Sequence, residues 1–284
     1  MSKGNVLITG VSTGIGFYAT RRFIAEGYTV YGSVRKKEDA ERLEAKFGEA
    51  YRPLIFDVTD EEMVQQAARV VESEIADEGL QLLVNNSGMA VTGPSQCLST
   101  ADFRKQFEVN FLGLVSVTNA FLPLLGAKEN SSLPPGKIIN ISSVAAKSGM
   151  PYMTPYGSSK AAVDAYSEGL RRELMLFGID VVVFNPGPIK TPIWDKVEEP
   201  EASMKESPYG PSLLRFLDLS KREAAKAIPV EEFCDQLFEV FQKKKAKTFY
   251  LVIRDKWTKF IIPRLLFSDR AMDRLMFKVL KMKR

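Results

Sequence analysis

A tyrosine and a lysine four positions apart are the residues of this chain best suited to acid-base chemistry. Tyr156 and Lys160 lie in the segment YGSSK, on one face of a helix predicted to run to Phe177. Tyrosine has an ordinary pKa of about 10, so it is a poor base at neutral pH unless a cation stabilises the phenolate. Lys160 supplies such a cation, although the spacing alone also fits an ordinary surface pair.

A glycine-rich turn, TGVSTGIG, follows the first predicted strand and opens the first predicted helix. Glycines let the backbone approach a pyrophosphate, whose charge then lies at the amino terminus of the helix. The candidate contacts are Gly10, Ser12, Thr13, Gly14, Ile15 and Gly16. Their spacing differs from the G-x-G-x-x-G pattern of many dinucleotide enzymes, and a purely structural turn is the alternative.

The composition excludes several classes of enzyme. The 284 residues include no histidine and only two cysteines, Cys97 and Cys234. Ser-His-Asp hydrolases, Cys-His enzymes and imidazole-ligated metals are therefore excluded, and we expect no metal and no disulfide framework. The start, MSKGNVLITG, lacks the pattern of a secretory signal, and no apolar run approaches the length of a membrane span. We expect a reduced, cytoplasmic location.

Predicted strands and helices alternate along the chain, as in a parallel α/β sheet, and they must position the candidate site residues. Short apolar runs without polar alternation predict strands buried on both faces, at 6–8, 29–31, 54–56, 82–84, 138–141 and 181–184, with a seventh at 248–253. Amphipathic stretches separate them, one of them over 63–75, entered through the capping-box pattern Thr59-Asp60-Glu61-Glu62. We predict a single α/β domain with a Rossmann-type doubly wound sheet of about seven parallel strands and helices on both faces.

Together these motifs resemble the short-chain dehydrogenase/reductase family. They occur in family order over roughly residues 4 to 192, and beyond the glycine turn they include Asn85-Asn86-Ser87-Gly88, Asn110, Ser143, Tyr156 to Lys160, and Asn185-Pro186-Gly187. The long ending is more similar to the hydroxysteroid and retinol dehydrogenase branch. Ser87 and Ser158 stand where the family usually has alanine, and we expect neither to abolish cofactor binding.

The resemblance implies an alcohol dehydrogenase or carbonyl reductase in which the nicotinamide exchanges a hydride with the substrate. Tyr156 would be the general acid/base, and Ser143, at the family spacing from it, would donate a hydrogen bond to the substrate oxygen. Lys160 would hold the nicotinamide ribose and lower the pKa of Tyr156. Asn110 would anchor a water in a proton relay through Lys160.

The resemblance also implies cofactor contacts outside the glycine turn. Asp57, followed by Val58, would lie at the adenine ring, and Asn85 in the turn after the fourth strand. The contacts with the nicotinamide would be Pro186, Gly187, Ile189 and Thr191. For Thr191, ordinary loop hydrogen bonding is the alternative.

The end of the second strand distinguishes NAD from NADP. An acidic residue there would accept hydrogen bonds from the ribose hydroxyls of NAD, but Val34 occupies that position and Arg35 follows it. An arginine pairs with the 2′-phosphate of NADP, and Lys36 and Lys37 add positive charge. We therefore predict NADP(H) rather than NAD(H), with a solvated basic turn as the alternative.

The carboxyl-terminal part is basic and amphipathic. Residues 243–284 carry 14 Lys/Arg and 3 Asp/Glu, a net charge of +11, which leaves −7 for the rest. We predict an NADP-binding catalytic domain over 1–254, with a substrate loop over 185–228, and an extension of the same domain over 255–284. The extension suits a peripheral membrane contact, although we favour packing on the body. It matches no nucleic-acid module.

The predicted substrate is lipophilic. Between residues 185 and 211 six prolines interrupt the α/β alternation, as in a lid or binding loop, with a disordered insertion as the alternative. Apolar residues of this loop and of the tail would together form a hydrophobic mouth, the entrance to the substrate pocket. The loop residues are Ile193, Trp194, Met204, Phe216 and Leu217. We predict a steroid, retinoid or long-chain alcohol or carbonyl.

The alternative to an enzyme is a non-catalytic NADP(H)-binding sensor or scaffold. The resemblance further implies a homodimer through the helices after Thr100 and Pro155.

Overall fold

Seven parallel strands form the central sheet of the part of the chain that the computed structural model describes, residues 2–75, 78–191 and 200–283. The strand order is β3-β2-β1-β4-β5-β6-β9. The strands are β1 (Asn5–Ile8), β2 (Thr29–Val34), β3 (Tyr51–Ile55), β4 (Leu80–Asn85), β5 (Lys137–Ile141), β6 (Asp180–Pro186) and β9 (Phe249–Val252). A small second sheet pairs β7 (Ile189–Lys190) with β8 (Ile228–Pro229). The predicted doubly wound α/β fold is confirmed.

The absence of polar alternation in the strand sequences follows from burial on both faces. All four residues of β1 are buried, as are residues 138–141 of β5 and 181–186 of β6. The edge strand β3 differs, because Arg52 and Ile55 are exposed. Inner strands are covered by helices on both sides, so nearly every position must be apolar.

Helices cover the sheet in two layers. On one face, α1 (Gly14–Ala25), α2 (Lys37–Phe47) and α9 (Val230–Gln242) pack around Phe23 and Phe233. On the other, the core around Phe121 is formed by α3 (Glu61–Ile75), α5 (Gly113–Phe121) and α6 (Thr154–Glu173). Each layer buries the apolar stripe of amphipathic helices.

The predicted capping box at the start of α3 is wrong in its detail. The capping side chain is Asp60, whose Oδ1 accepts a hydrogen bond of 3.0 Å from the main-chain nitrogen of Met63. Thr59 instead donates its main-chain N–H and its hydroxyl to Asp57 Oδ1, at 3.0 and 2.8 Å. Both residue types favour helix starts, so the sequence did not distinguish them.

A continuous helical segment, Thr100–Leu125, is long and apolar enough to cross a membrane by length and composition, contrary to the expectation from the sequence. It comprises α4 (Thr100–Phe107), a π-helical turn (Glu108–Leu112), α5 and a 3₁₀ turn. Leu114, Val117 and Phe121 are buried in the core beneath the sheet. The segment is therefore a core helix of the α/β domain.

The predicted irregular stretch is partly helical. Beyond β7 the chain forms α7 (Ala202–Glu206) and α8 (Gly210–Ala225). Pro211 lies in the first turn of α8, where its missing N–H leaves no hydrogen bond unmade. Within the predicted stretch 185–211, a disordered insertion is therefore wrong for residues 202–206 and 210–211. Ile193 and Trp194 of the predicted mouth lie outside the described residues.

The tail forms a π-helical turn (Trp257–Ile261), α10 (Ile262–Leu266) and α11 (Asp269–Val279). No residue of α10 or α11 is buried, whereas Leu280, just after α11, is 3% exposed. Leu280 packs with Leu213 and Phe216 of α8. The tail therefore packs on the rest of the domain, as expected, at its carboxyl-terminal end near Leu280, whereas no residue of its helices α10 and α11 is buried.

Candidate active site

The predicted site residues meet at the carboxyl edge of the sheet, where four adjacent strands end. The glycine turn follows β1, Asn86 follows β4, Ser143 follows β5 and Gly187 follows β6. The first two of these strands, β1 and β4, lie at the centre of the sheet, where the strand order reverses. Crevices at such a position are the usual ligand sites of doubly wound sheets.

The glycine turn has a shape that only glycine permits. Gly10 and Gly14 have positive φ angles of 69° and 61°. A Cβ atom on Gly16 would lie 2.4 Å from the main-chain oxygen of Gly10, closer than any atoms approach without bonding. Thr13 precedes the first residue of α1 and makes no side-chain capping bond. The turn therefore leaves the amino terminus of α1 as a cradle for an anion, which fits the pyrophosphate of a dinucleotide.

Asn86 holds this turn in place, and the sequence analysis did not single it out. Its Nδ2 donates to the main-chain oxygens of Thr9 and Gly10, at 2.9 and 3.2 Å. The predicted Asn85 faces inward instead, donating to Thr118 Oγ1 at 2.9 Å and to Asn140 Oδ1 at 2.8 Å. The strand alternation that turns Asn85 inward turns Asn86 toward the site.

At the end of β2 the structure brings together two residues predicted for different parts of the cofactor. Arg35 Nη1 lies 4.0 Å from Asp57 Oδ2, and the Arg35 side chain is 78% exposed. The guanidinium therefore lies at the solvent-exposed rim of the site. Val58, in contrast, is buried against Gly113, so its side chain serves packing.

Lys160 is held between a strand end and the tyrosine ring. It is 5% exposed, and its Nζ donates to the main-chain oxygen of Ile141 at 2.8 Å. The same nitrogen lies 6.0 Å from the ring centroid of Tyr156. Burial lowers the pKa of Lys160 to about 8, against the opposing attraction of the Asp164 carboxylate. The spacing of four residues therefore does place both groups in one site.

The pKa of Tyr156 moves in the direction opposite to the one predicted. The phenol lies in the first turn of α6, and burial raises its pKa, while a hydrogen bond with Ser143 acts in the lowering direction. Burial dominates because it disfavours the phenolate. The raised pKa keeps the phenol protonated at neutral pH, which suits a proton donor. Ser143 itself accepts a hydrogen bond from the main-chain nitrogen of Ala145 at 3.1 Å.

Asn110 is fully buried in the π-helical turn and links two parts of the site. Its Oδ1 accepts from the main-chain nitrogen of Met89 at 2.9 Å, and its Nδ2 donates to the Met89 oxygen at 3.0 Å and to Ser159 Oγ at 3.2 Å. The side chain therefore ties the segment after β4 to α6. Its role in holding a relay water stays a prediction.

A polar network that the sequence analysis did not predict lies beside the candidate catalytic residues. Asn185 Nδ2 donates to the main-chain oxygen of Ser143 at 2.8 Å and to Asp164 Oδ2 at 3.0 Å. Asp164 also pairs with Lys147, whose Nζ lies 3.1 Å from it. The signal in the sequence was the position of Asp164 four residues after Lys160. The network fixes the backbone of Ser143 and places a carboxylate near Lys160.

The segment after β6 folds back toward the glycine turn. A Cβ atom on Gly14 would lie 3.5 Å from the Cβ of Thr191, so the two residues face each other. Ile189 is buried, and Gly187 packs against Ile253 so closely that a Cβ would lie 2.8 Å from it. With Pro186 at the end of β6, all four residues predicted for the nicotinamide follow one another along this wall.

Comparison with known proteins gives the same class of enzyme. The short chain dehydrogenase family matches residues 4–202. An NADPH-dependent 3-dehydrocapnine reductase of Ornithobacterium rhinotracheale is 41% identical over 97% of this chain and 96% of its own. A 3-ketodihydrosphingosine reductase of Bacteroides thetaiotaomicron is 34% identical over 77% of this chain and 76% of its own. The solved structure of a short chain dehydrogenase of Burkholderia cenocepacia in complex with NADP is 25% identical, covers 98% of each chain and has a TM-score of 0.72.

The chain belongs to the short-chain dehydrogenase/reductase family. It is an oxidoreductase of the class that acts on alcohols and carbonyls, as the order of its motifs predicted.

Proposed function

We propose that this protein is an NADPH-dependent reductase that converts a lipophilic ketone to an alcohol, with Tyr156 as the proton donor. The observation that carries the proposal is the position of Tyr156, beside the buried ammonium of Lys160 and with Ser143 close enough to act on the pKa of its phenol. These three groups lie at the same sheet edge as the glycine turn, so a ketone there would be in reach of the cofactor.

Each residue has a distinct part in the reaction. When bound, NADPH supplies the hydride that adds to the carbonyl carbon. Tyr156 gives its proton to the carbonyl oxygen as the C–O double bond becomes a single bond, and Ser143 donates a hydrogen bond to the same oxygen. Lys160, charged below its pKa of about 8, stabilises the phenolate that remains and helps to return a proton to it.

The substrate proposal is a long-chain aminoketone. Two relatives are named for reduction of 3-dehydrocapnine and of 3-ketodihydrosphingosine, both ketones with a carbonyl at carbon 3. An apolar cluster beside the start of α6 supports this class. Its buried members are Tyr152, Met204, Leu213, Phe216 and Leu280, with Leu217 packed against them. Met204 and Phe216, predicted from the sequence to line a hydrophobic mouth, are buried within this cluster.

The direct test is an assay of NADPH consumption with defined ketones. We expect turnover with 3-ketodihydrosphingosine, weaker turnover with steroid and retinoid carbonyls, and none with small sugars or keto acids. Activity confined to the small polar compounds would refute the substrate class. Product analysis by mass spectrometry would show the gain of two hydrogen atoms.

The cofactor preference gives a second test, at Arg35. Changing Arg35 to Ala is expected to weaken NADPH binding about tenfold or more, because a charge-assisted bond contributes about 1.5–3 kcal/mol. NADH, which lacks the 2′-phosphate, should bind the variant as it binds the parent. Isothermal titration measures both affinities, with Arg69→Ala on the exposed side of α3 as the control.

Tighter binding of NADH than of NADPH by the parent, or an equal loss for both cofactors in Arg35→Ala, would show that Arg35 does not select NADP(H).

The family resemblance also supports a homodimer, formed through α4, α5 and α6. Light scattering would measure its mass, and a monomer at assay concentrations would refute it.

A further inference from the structure

Three consecutive apolar side chains at the end of α10 project into solvent. Leu265, Leu266 and Phe267 are 77%, 73% and 50% exposed. We call them the tail tip. Trp257, at the start of the same helical tail, is 60% exposed. Single exposed apolar residues are common on soluble proteins, but a run of three at one turn is a mark of an interaction surface.

The tail is fixed to the rest of the protein beyond the tail tip, at Val279 and Leu280. Arg215 Nε donates to the main-chain oxygen of Val279 at 2.6 Å, and Leu280 is buried against Phe216. Between the tip and this anchor runs α11, which buries no residue. The end of the tail is therefore fixed to the body, while the tail tip itself stays exposed.

Positive charges border the tip. Arg264 precedes it and stacks over Phe260, with 5.5 Å between the guanidinium carbon and the ring centroid. Arg270 follows it at the start of α11, and both arginines are exposed. Residues 256–283 contain eight Lys/Arg and two Asp/Glu, a net charge of +6. Asp269 lies between the tip and Arg270, but the segment as a whole is cationic. An apolar tip flanked by exposed arginines suits an interface between hydrocarbon and anionic headgroups.

We infer that the tail tip inserts into the surface of an anionic lipid bilayer. A second copy of this chain fits less well, because a two-fold contact through this surface would oppose two segments of like charge. A bilayer explains both features, because its acyl chains bury the apolar residues and its lipid phosphates pair with the arginines. The anchor at Phe216 would then hold the lipid surface close to the apolar cluster of α8.

Sedimentation of the full-length protein with vesicles tests the inference. We expect binding to phosphatidylcholine vesicles that contain phosphatidylglycerol to be at least about tenfold stronger than to phosphatidylcholine alone, and to weaken with salt. Replacing Leu265, Leu266 and Phe267 by serine should abolish binding. Arg264→Gln with Arg270→Gln should weaken binding to the anionic vesicles only.

The control is an exposed apolar pair elsewhere, Met175 and Leu176, which are 72% and 82% exposed. Their replacement by serine should leave vesicle binding unchanged. Absence of binding to anionic vesicles, or an equal loss in this control, would overturn the inference. So would a particle mass that falls when the tail tip is changed, because the tip would then contact a second copy. None of these outcomes bears on the reductase activity, which is measured without vesicles.

Discussion

Changing Tyr156 to phenylalanine is expected to lower kcat for ketone reduction by about 10²–10⁴-fold, the usual contribution of a positioned acid or base. Phenylalanine keeps the ring beside Lys160 and removes only the phenolic hydroxyl, the proposed proton donor. NADPH binding should persist, because the glycine turn is unchanged. Steady-state kinetics and isothermal titration separate the two effects, since chemistry and binding are measured independently.

The matched control is Tyr166→Phe. Tyr166 lies on the same helix, α6, and packs against Phe111 with ring centroids 5.9 Å apart. Its replacement removes a hydroxyl of the same kind away from the site, so kcat should stay within about twofold of the parent. An unchanged rate in Tyr156→Phe would refute the proton-donor role. A parent that binds NADPH and turns over no ketone would favour the sensor or scaffold alternative.

The second large effect is expected for Lys160→Met, which keeps the length of the side chain and removes its charge. The variant loses the ammonium beside the phenol and the predicted contact with the nicotinamide ribose, so kcat/KM for NADPH should fall about 10²–10³-fold. Lys221→Met, on the exposed side of α8, is the control and should behave like the parent.

The pH profile identifies the role of Lys160. Its pKa of about 8 means that the ammonium is present below that pH and is lost as the pH rises through it. Reduction by the parent should therefore decline above about pH 8, and this decline should be absent from the residual activity of Lys160→Met. An identical alkaline limb in both proteins would assign the titration to another group.

The fold was predictable because its signals are local. Runs such as Val181 to Phe184 are apolar at every position, which only strands covered on both faces require. Gly10, Gly14 and Gly16 specify one turn. Gly10 and Gly14 have positive φ angles, and Gly16 lies too close to the main-chain oxygen of Gly10 to carry a side chain. The grouping of Ser143 with Tyr156 and Lys160 was implied by the resemblance to the family.

Other features depend on contacts between distant residues and were not visible in the sequence. Asp164, Asn185 and Lys147 form their network only because β6 lies beside β5. The direction of the Tyr156 pKa follows from burial, which outweighs the hydrogen bond with Ser143. The helix α8 was missed because Gly210 and Pro211, at its start, resemble a loop. The partial packing of the tail likewise depends on contacts between its end and α8, such as those of Leu280 and Val279.

The most direct test is a single turnover of the NADPH-loaded enzyme with 3-ketodihydrosphingosine, followed by nicotinamide absorbance and product mass. The proposed reaction predicts one alcohol formed for each NADPH oxidised, and a rate at least about 10²-fold lower in Tyr156→Phe. No oxidation of NADPH by the parent, with this substrate and the other lipophilic carbonyls of the panel, would contradict the proposed reduction. Equal rates in the parent and Tyr156→Phe would contradict the role of Tyr156 as its proton donor.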